Sequence, residues 1–397
     1  MSRIRPPAIL RPQLIPLMSQ PVSGGETSGR LNNFDFLRLV LAVAVIFSHS
    51  FPLLWGDNRD EPLMRLTGGQ VTAGELAVAG FFVLSGFLIT KSWLRSPGVV
   101  DYLRKRVLRI YPGFLASLAF CAFVVGPLAA DRPADYWRGF PFLTFLVQGL
   151  NLQGPVTPPV FGDVVHPVMN GSLWSIRYEF LCYVGVAALG LLGVLRRPPL
   201  VLLVFVGVFT VFVLQVQVGL PIRGSRYSWV YGLPGLWPRL GSSFLAGSVF
   251  YVYRDRIVYS RGLFAAAIFG LAVAAALPFL RCLTLAIPVL GAYAFFYLGF
   301  LPAPGLRGFA RRGDLSYGMY LYAFPVQQLL IERLGAGLHP LALFPLATAF
   351  TAVLAASSWR FVERPFLKLK SAGPSCPGPV TAAGGRVEDP ESVNGRT

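Results

Sequence analysis

Apolar runs of about 20 residues recur along most of this chain, and nothing else constrains its fold as strongly. Wound as a helix at 1.5 Å per residue, such a run crosses the ~30 Å hydrocarbon core of a bilayer. Inside hydrocarbon every backbone N–H and C=O must be paired within the segment, so runs of this kind cross as helices. About ten runs can be placed, centred near Ala44, Val83, Leu118, Tyr183, Phe209, Leu245, Leu271, Ala292, Leu321 and Leu354. The expected fold is all-α: a polytopic membrane bundle of about ten transmembrane helices. Composition agrees. Of 397 residues 54% are hydrophobic and 13% charged, whereas a soluble domain carries about 25% charged residues. The run Phe140–Leu150 is too short to span and reads as a re-entrant or interfacial piece. Residues 1–30 and 371–397 lack periodicity and are rich in Pro, Gly and polar groups. They read as disordered cytoplasmic tails, the first of them basic, on either side of a membrane domain at 31–370.

The net charge of +17 does not indicate nucleic acid, because the cations stand in short clusters between apolar runs. Clusters at Arg3–Arg30, Lys91–Arg109, Arg196–Arg197, Arg254–Arg261, Arg307–Arg312 and Arg360–Lys370 all fall on one side of the expected bundle. The positive-inside rule makes that side the cytoplasm and puts both termini there. The opposite side carries Asp57, Asp60, Glu61, Asp131, Asp135 and Asp163. The first apolar run is too long for the core of a cleaved signal peptide and reads as a span that stays in place. Cys121, Cys182, Cys282 and Cys376 show no CxxC or metal-ligand spacing, so neither a disulfide nor a metal site is expected.

The first span, "FDFLRLVLAVAVIFSHS" from Phe34 to Ser50, carries Asp35, Arg38 and His49 in otherwise apolar sequence. Eleven residues at 100° each leave Arg38 and His49 within about 20° of one helix face and about 16 Å apart along the axis. Arg38 then sits at the cytoplasmic end and His49 well inside or toward the outer half. One reading makes Arg38 a topological anchor and His49 a packing residue. The other makes them a site, since ionisable groups in a membrane are costly and imidazole exchanges a proton near neutral pH.

An Arg, ten residues and a His in the first span, preceded by Asp35-Phe36-Leu37, resemble the acyltransferase-3 family of integral membrane O-acyltransferases. "FFVLSGFLIT" (Phe81–Thr90), "RKRVLRIYP" (Arg104–Pro112), "NGSLWSIRYEF" (Asn170–Phe180), "LSYGMYLYAFPV" (Leu315–Val326) and "FVERP" (Phe361–Pro365) are similar to further motifs of that family, in order along residues 31–370. The resemblance implies transfer of an acyl group, most often acetyl, from acyl-CoA to hydroxyls of extracytoplasmic carbohydrate, at a bacterial inner membrane. The acceptor would be an exopolysaccharide, lipopolysaccharide, secreted oligosaccharide or similar glycoconjugate. Two departures stand out: Ala79 occupies a position where the family often has an acid, and Ala323 one where it often has His. Glu75 lies one helical turn before Ala79.

Arg106 and Arg109 are three apart and share a helix face, with Lys105 in i,i+4 relation to Arg109. Taken alone the cluster reads as a topological anchor; the resemblance implies that it binds the donor's phosphates. Glu179 begins the fourth span, and Arg177, two positions away, points to nearly the opposite side. Glu179 therefore needs a partner from another helix, a proton or water. It reads as an interfacial carboxylate, a partner of His49 or a sugar-binding group. Trp174 reads as part of the aromatic belt, Ser85 and Gly86 as close-packing residues, Glu363 as an ion-pair element between Arg360 and Arg364, and His166 and His339 as solvated.

The expected chemistry has His49 as general base on the acceptor hydroxyl, Glu179 or Asp35 balancing the imidazolium, and Arg38 fixing the first helix or assisting the donor. An acyl-histidine intermediate is a variant of this scheme. A multi-pass transporter is the first rival, but no inverted repeat or matched pair of broken helices is visible. A polyprenol-linked glycosyltransferase is the second; its large acidic loops are reduced here to the stretch from Asp131 to Asp163.

Overall fold

A computed structural model describes residues 32–224, 226–303, 313–335 and 337–369. Both expected tails lie outside the described residues, as do Arg307, Arg311 and Arg312. Among the described residues every regular element is helical. Ten are long: α1 (Phe34–Trp55), α2 (Ala73–Arg95), α3 (Val99–Ala129), α4 (Trp174–Leu191), α5 (Pro198–Gln217), α6 (Trp237–Val252), α7 (Arg261–Ala275), α8 (Cys282–Phe300), α9 (Ser316–Leu334) and α10 (Pro340–Lys368). Each centre expected from hydropathy falls inside one of them. Six helices, α1, α2, α3, α5, α8 and α10, are long and apolar enough to cross a membrane. At 16 and 15 residues, α6 and α7 rise only about 24 Å. The helices α4 and α9 carry polar groups mid-sequence, Glu179 in one and Gln327 and Gln328 in the other. Phe142–Leu150 is a nine-residue helix with most side chains exposed.

Local chemistry explains several boundaries. Thr72 and Glu75 form a reciprocal capping box at the start of α2, satisfying two donors that a helix N-terminus leaves open. Ser260 caps α7 and the His339 side chain caps α10. Three helices contain a π-turn, at Cys121–Val125, Ile287–Gly291 and Trp359–Glu363. Each extra residue rotates the helix face that follows.

The centre of the bundle is α2, which packs against α6, α1 and α4. Its crossing with α6 is backbone on backbone. A Cβ on Gly86 would lie 1.8 Å from the Phe244 carbonyl oxygen, and one on Gly247 1.9 Å from that of Val83. Small residues are what allow helices this close an approach. Ser248 and Thr90 bond across the same contact at 2.9 Å. Helix α1 is flanked by α2, α9 and α10. Outside them α5 rests on α6 with Val201 and Phe212 buried and much of its apolar surface exposed, as suits a helix facing lipid.

Candidate active site

The segment Asn170–Trp174 lies against the C-terminal half of α1. Asn170 donates to the Leu321 carbonyl at 2.9 Å and accepts from the Ser172 N–H at 3.1 Å, which fixes the turn. Ser172 Oγ then lies 3.5 Å from His49 Nδ1, a long contact. The imidazole meets the Phe324 ring edge-on, with centroids 5.4 Å apart. Phe324 fits there because residue 171 is glycine: a Cβ would come within 2.6 Å of the ring. Tyr320 donates its hydroxyl hydrogen to the Ser172 carbonyl at 2.7 Å and lies 2.6 Å from Ser175 Oγ.

Tyr320 and Ser175 open onto a small internal cavity also lined by Arg38, Glu179, Ser316 and Tyr317. Its volume is about 30 Å³, room for about two waters. Glu179 Oε1 accepts from Ser85 Oγ at 2.7 Å and from the Tyr183 hydroxyl at 2.6 Å. The partner that Glu179 requires is thus supplied by α2 as well as by its own helix. Arg177 turns away and donates to the Trp229 carbonyl. Ser85, expected only to permit packing, also holds this carboxylate. The Arg106 guanidinium lies over the rings of Tyr102 and Tyr183, 5.9 Å from each centroid. One of its terminal nitrogens donates to Ser92 Oγ at 3.3 Å, and its Nε is buried with no hydrogen-bond partner.

A second cluster lies at the start of α9. Asp314 accepts from Arg38 at 3.2 Å, from Arg109 at short range and from both the N–H and hydroxyl of Ser316. Burial alone would raise the Asp314 carboxyl, but Arg109 and Arg38 beside it, with the Ser316 bonds, hold it below the usual carboxylate range. Arg109 also lies 3.7 Å from Glu363 and over the Tyr317 ring. Glu363 therefore pairs with α3 rather than with its neighbours Arg360 and Arg364. Its other oxygen accepts from Ser358 at 3.3 Å.

The structure thus brings Arg38 and Glu179 to one cavity, joins Arg38 to Arg109 through Asp314, and reaches His49 through Ser172 and Tyr320. Lys105 is not part of this set; it donates to Asp101 at 2.6 Å, one turn back on its own helix. Asp35, in the first turn of α1, is not among the residues lining the cavity, and His49 meets Ser172 rather than Glu179. The sequence reading missed Asp314, Tyr183, Tyr320 and Ser172 as site residues. The signal for Ser172 was its place in the NGSLW motif beside Glu179. Asp314 was masked by the basic residues just before it. His166 is not simply solvated, since its Nε2 lies 2.9 Å from the Gly56 carbonyl oxygen. Glu75 is taken up by its capping box and by Arg239 at 2.7 Å. Among the described residues, no three His, Cys, Asp or Glu side chains gather as a metal ion requires.

The family model for the acyltransferase domain Acyl_transf_3 matches residues 31–360. The chain belongs to the acyltransferase-3 family. It is a multi-pass membrane acyltransferase. It is 30% identical over 351 residues to an O-acetyl transferase of Shigella phage Sf6, covering 86% of this chain and 97% of that protein. It is 29% identical over 373 residues to nodulation protein 10 of Rhizobium leguminosarum bv. viciae, covering 88% and 96%. A shorter likeness, 28% over 158 residues and 39% of this chain, links it to the acyltransferase MdmB of Streptomyces mycarofaciens. No solved structure matches it significantly. The matched span holds both clusters apart from Glu363, from Arg38 and His49 on α1 to Asp314 and Tyr320 at the start of α9.

Proposed function

We propose that this acyltransferase moves an acyl group, acetyl by preference, from acyl-CoA to a hydroxyl of a carbohydrate, such as an exopolysaccharide, lipopolysaccharide or secreted oligosaccharide. In this reading it sits in a bacterial inner membrane with ten spans and both termini in the cytoplasm, and the catalytic path runs between the two faces. The observation that carries the reading is the chain of polar contacts from His49 through Ser172 and Tyr320 to the cavity lined by Arg38 and Glu179. A buried polar path through an apolar bundle is costly unless it serves chemistry. The O-acetyl transferase of phage Sf6, similar over nearly its whole length, supports acetyl as the group moved.

Acyl-CoA arrives from the cytoplasm, its phosphates drawn to Arg106 and to Arg109, the latter exchanging part of its pairing with Asp314 and Glu363 for the donor. The buried, partnerless Nε of Arg106 is a donor that a phosphate can satisfy once the packing over it opens. The acceptor hydroxyl gives its proton to His49 as its oxygen bonds to the thioester carbonyl carbon. The C–S bond then breaks, and the thiolate leaves with a proton returned from the imidazolium. Glu179, fixed by Ser85 and Tyr183, supplies an acceptor carboxyl in the cavity. Arg38, fixed by Asp314, presents positive charge where the carbonyl oxygen becomes anionic. The cavity is too small to admit a thioester as it stands, so donor binding must widen it.

Incubating the purified protein with acetyl-labelled acetyl-CoA and a surface saccharide of the host tests this. Label on the saccharide and free thiol in equal amounts is the expected result. Label on saccharide without any dependence on His49 would defeat the mechanism, and saccharide movement across a vesicle without thioester loss would defeat the enzyme reading.

A further inference from the structure

At the end of the bundle opposite Arg106 and Arg109 there is a second, larger cavity of about 740 Å³, within the ~300–1,000 Å³ typical of ligand sites. It opens to the surface between the loop before α2, the last turn of α5, the first turn of α6 and the link between α7 and α8. Gln215, Arg239, Arg281, Thr284 and Phe279 line it. We propose that this cavity is the saccharide-binding subsite of the enzyme, where the acceptor is held before transfer. The proposal rests on the carbohydrate reading above and gives that acceptor a place.

The cavity is built rather than incidental. Gln70 spans it from the loop before α2, donating to the carbonyls of Ala274 and Ala275 at 3.1 Å and accepting from the Leu283 N–H at 3.0 Å. Gly68 and Pro278 are so close that a Cβ on Gly68 would lie 2.8 Å from the proline ring. The loop is thereby pinned to the α7–α8 link. At Gly69, by contrast, φ is +87° and nothing lies within 4 Å of where a Cβ would stand, so its backbone faces open space.

The lining suits a sugar. The guanidinium groups of Arg239 and Arg281 are donors for hydroxyl oxygens, and Gln215, whose Nε2 donates to the Gly235 carbonyl at 2.8 Å, adds an amide with a second N–H and an oxygen to offer. The Phe279 ring is 77% exposed and offers a flat apolar face for the C–H side of a pyranose. Arg239 contributes hydrogen bonds without net charge, since Glu75 lies 2.7 Å from it. The position suits an acceptor as well. Glu75, which pairs with Arg239 of the outer wall, precedes by three residues on α2 the Val78 that lines the inner cavity, so α2 runs from one cavity to the other. Glu179 accepts from Ser85, ten residues beyond Glu75 on α2, so the saccharide would wait about 15 Å outward of Glu179, on the side toward which α1 carries His49.

The test uses full-length protein in nanodiscs with two separate readouts. The probe is a fluorescently tagged oligosaccharide released from the host's own surface polysaccharide. Its binding is measured without acyl-CoA, and transfer is measured with labelled acetyl-CoA. Phe279→Ala and Gln215→Ala remove contacts from the wall, and Thr284→Trp fills the cavity. Each should weaken saccharide binding and raise its KM by about tenfold, the effect of one lost contact of this kind, with kcat and the KM for acetyl-CoA retained. Unchanged saccharide affinity in both alanine variants overturns the subsite, whatever the tryptophan variant does to folding. Weakened binding in the variants of a protein that never transfers acetyl would keep the subsite and defeat the reaction.

Discussion

Asp314→Asn should be the most informative single substitution at the Arg38–Arg109 cluster. The Asp314 side chain is 9% exposed, and those of Arg38 and Arg109 are 21% and 15% exposed. Asparagine keeps the shape and can still accept from Ser316, but leaves two guanidinium groups beside a neutral amide. Arg109 retains Glu363 at 3.7 Å, whereas Arg38 loses its carboxylate. Removing one partner of a buried ion pair costs about 3–5 kcal/mol; the retained Glu363 argues for the lower end, about 3 kcal/mol. The sign with pH follows from the Asp314 carboxyl, which is held below its ordinary value. Its stabilisation is fully present above the unfolded carboxylate pKa of about 3.9 and is lost as pH falls toward the folded value. Thermal unfolding of the purified protein in detergent, followed by tryptophan fluorescence from pH 3 to 7, reads both effects. The variant should melt lower at pH 7, and the gap from wild type should narrow in acid. A variant that melts like wild type at pH 7, or a gap that widens in acid, refutes the argument that this carboxylate holds the two arginines.

His49→Gln and His49→Ala should insert normally and lose transfer, with wild-type rate falling on the acid side, where a protonated imidazole is no longer a base; near-normal turnover in His49→Gln removes the imidazole from the mechanism. Arg106→Ala should raise the KM for acyl-CoA, with lysine rescuing only in part because it lacks the planar fork of donors; unchanged donor affinity would reduce Arg106 to an anchor. Tyr183→Phe should lower stability by about 1.5–3 kcal/mol, the range for a hydrogen bond to a charged group, as measured by unfolding beside Ser85→Ala. Gly247→Val should abolish recovery of folded protein from membranes, because its Cβ would lie 1.9 Å from the Val83 carbonyl oxygen.

The helical class and the placement of the long segments were legible because hydropathy at helical length is a strong signal. The face shared by Arg38 and His49 was legible from the 100° turn alone. That Glu179 needs a partner from another helix, a proton or water was also legible, but which of these it has was not. Ser85 reaches it through the packing of α2 on α4, and no local pattern fixes that register. Lys105 had two neighbours at i±4, Asp101 and Arg109, and spacing alone favoured neither; opposite charge decided for Asp101. Asp314 was illegible for a related reason. It follows a basic stretch that has its own topological reading, and its true partners, Arg38 and Arg109, are 276 and 205 positions away.

The Gly86–Gly247 contact also limits how this molecule can move. Two helices whose backbones touch cannot slide or roll past one another without collision, so α2 and α6 must travel as one rigid strut. That strut carries Ser85 at the inner cavity and Arg239 at the outer one. When a thioester forces the inner cavity wider, the yielding wall must be on the α1, α4 or α9 side. Glu179 and Tyr320 then shift against a fixed Ser85, while the geometry at Arg239 stays unchanged. Spin labels on α2 and α6 should hold a constant separation through the catalytic cycle, and labels on α2 and α9 should not.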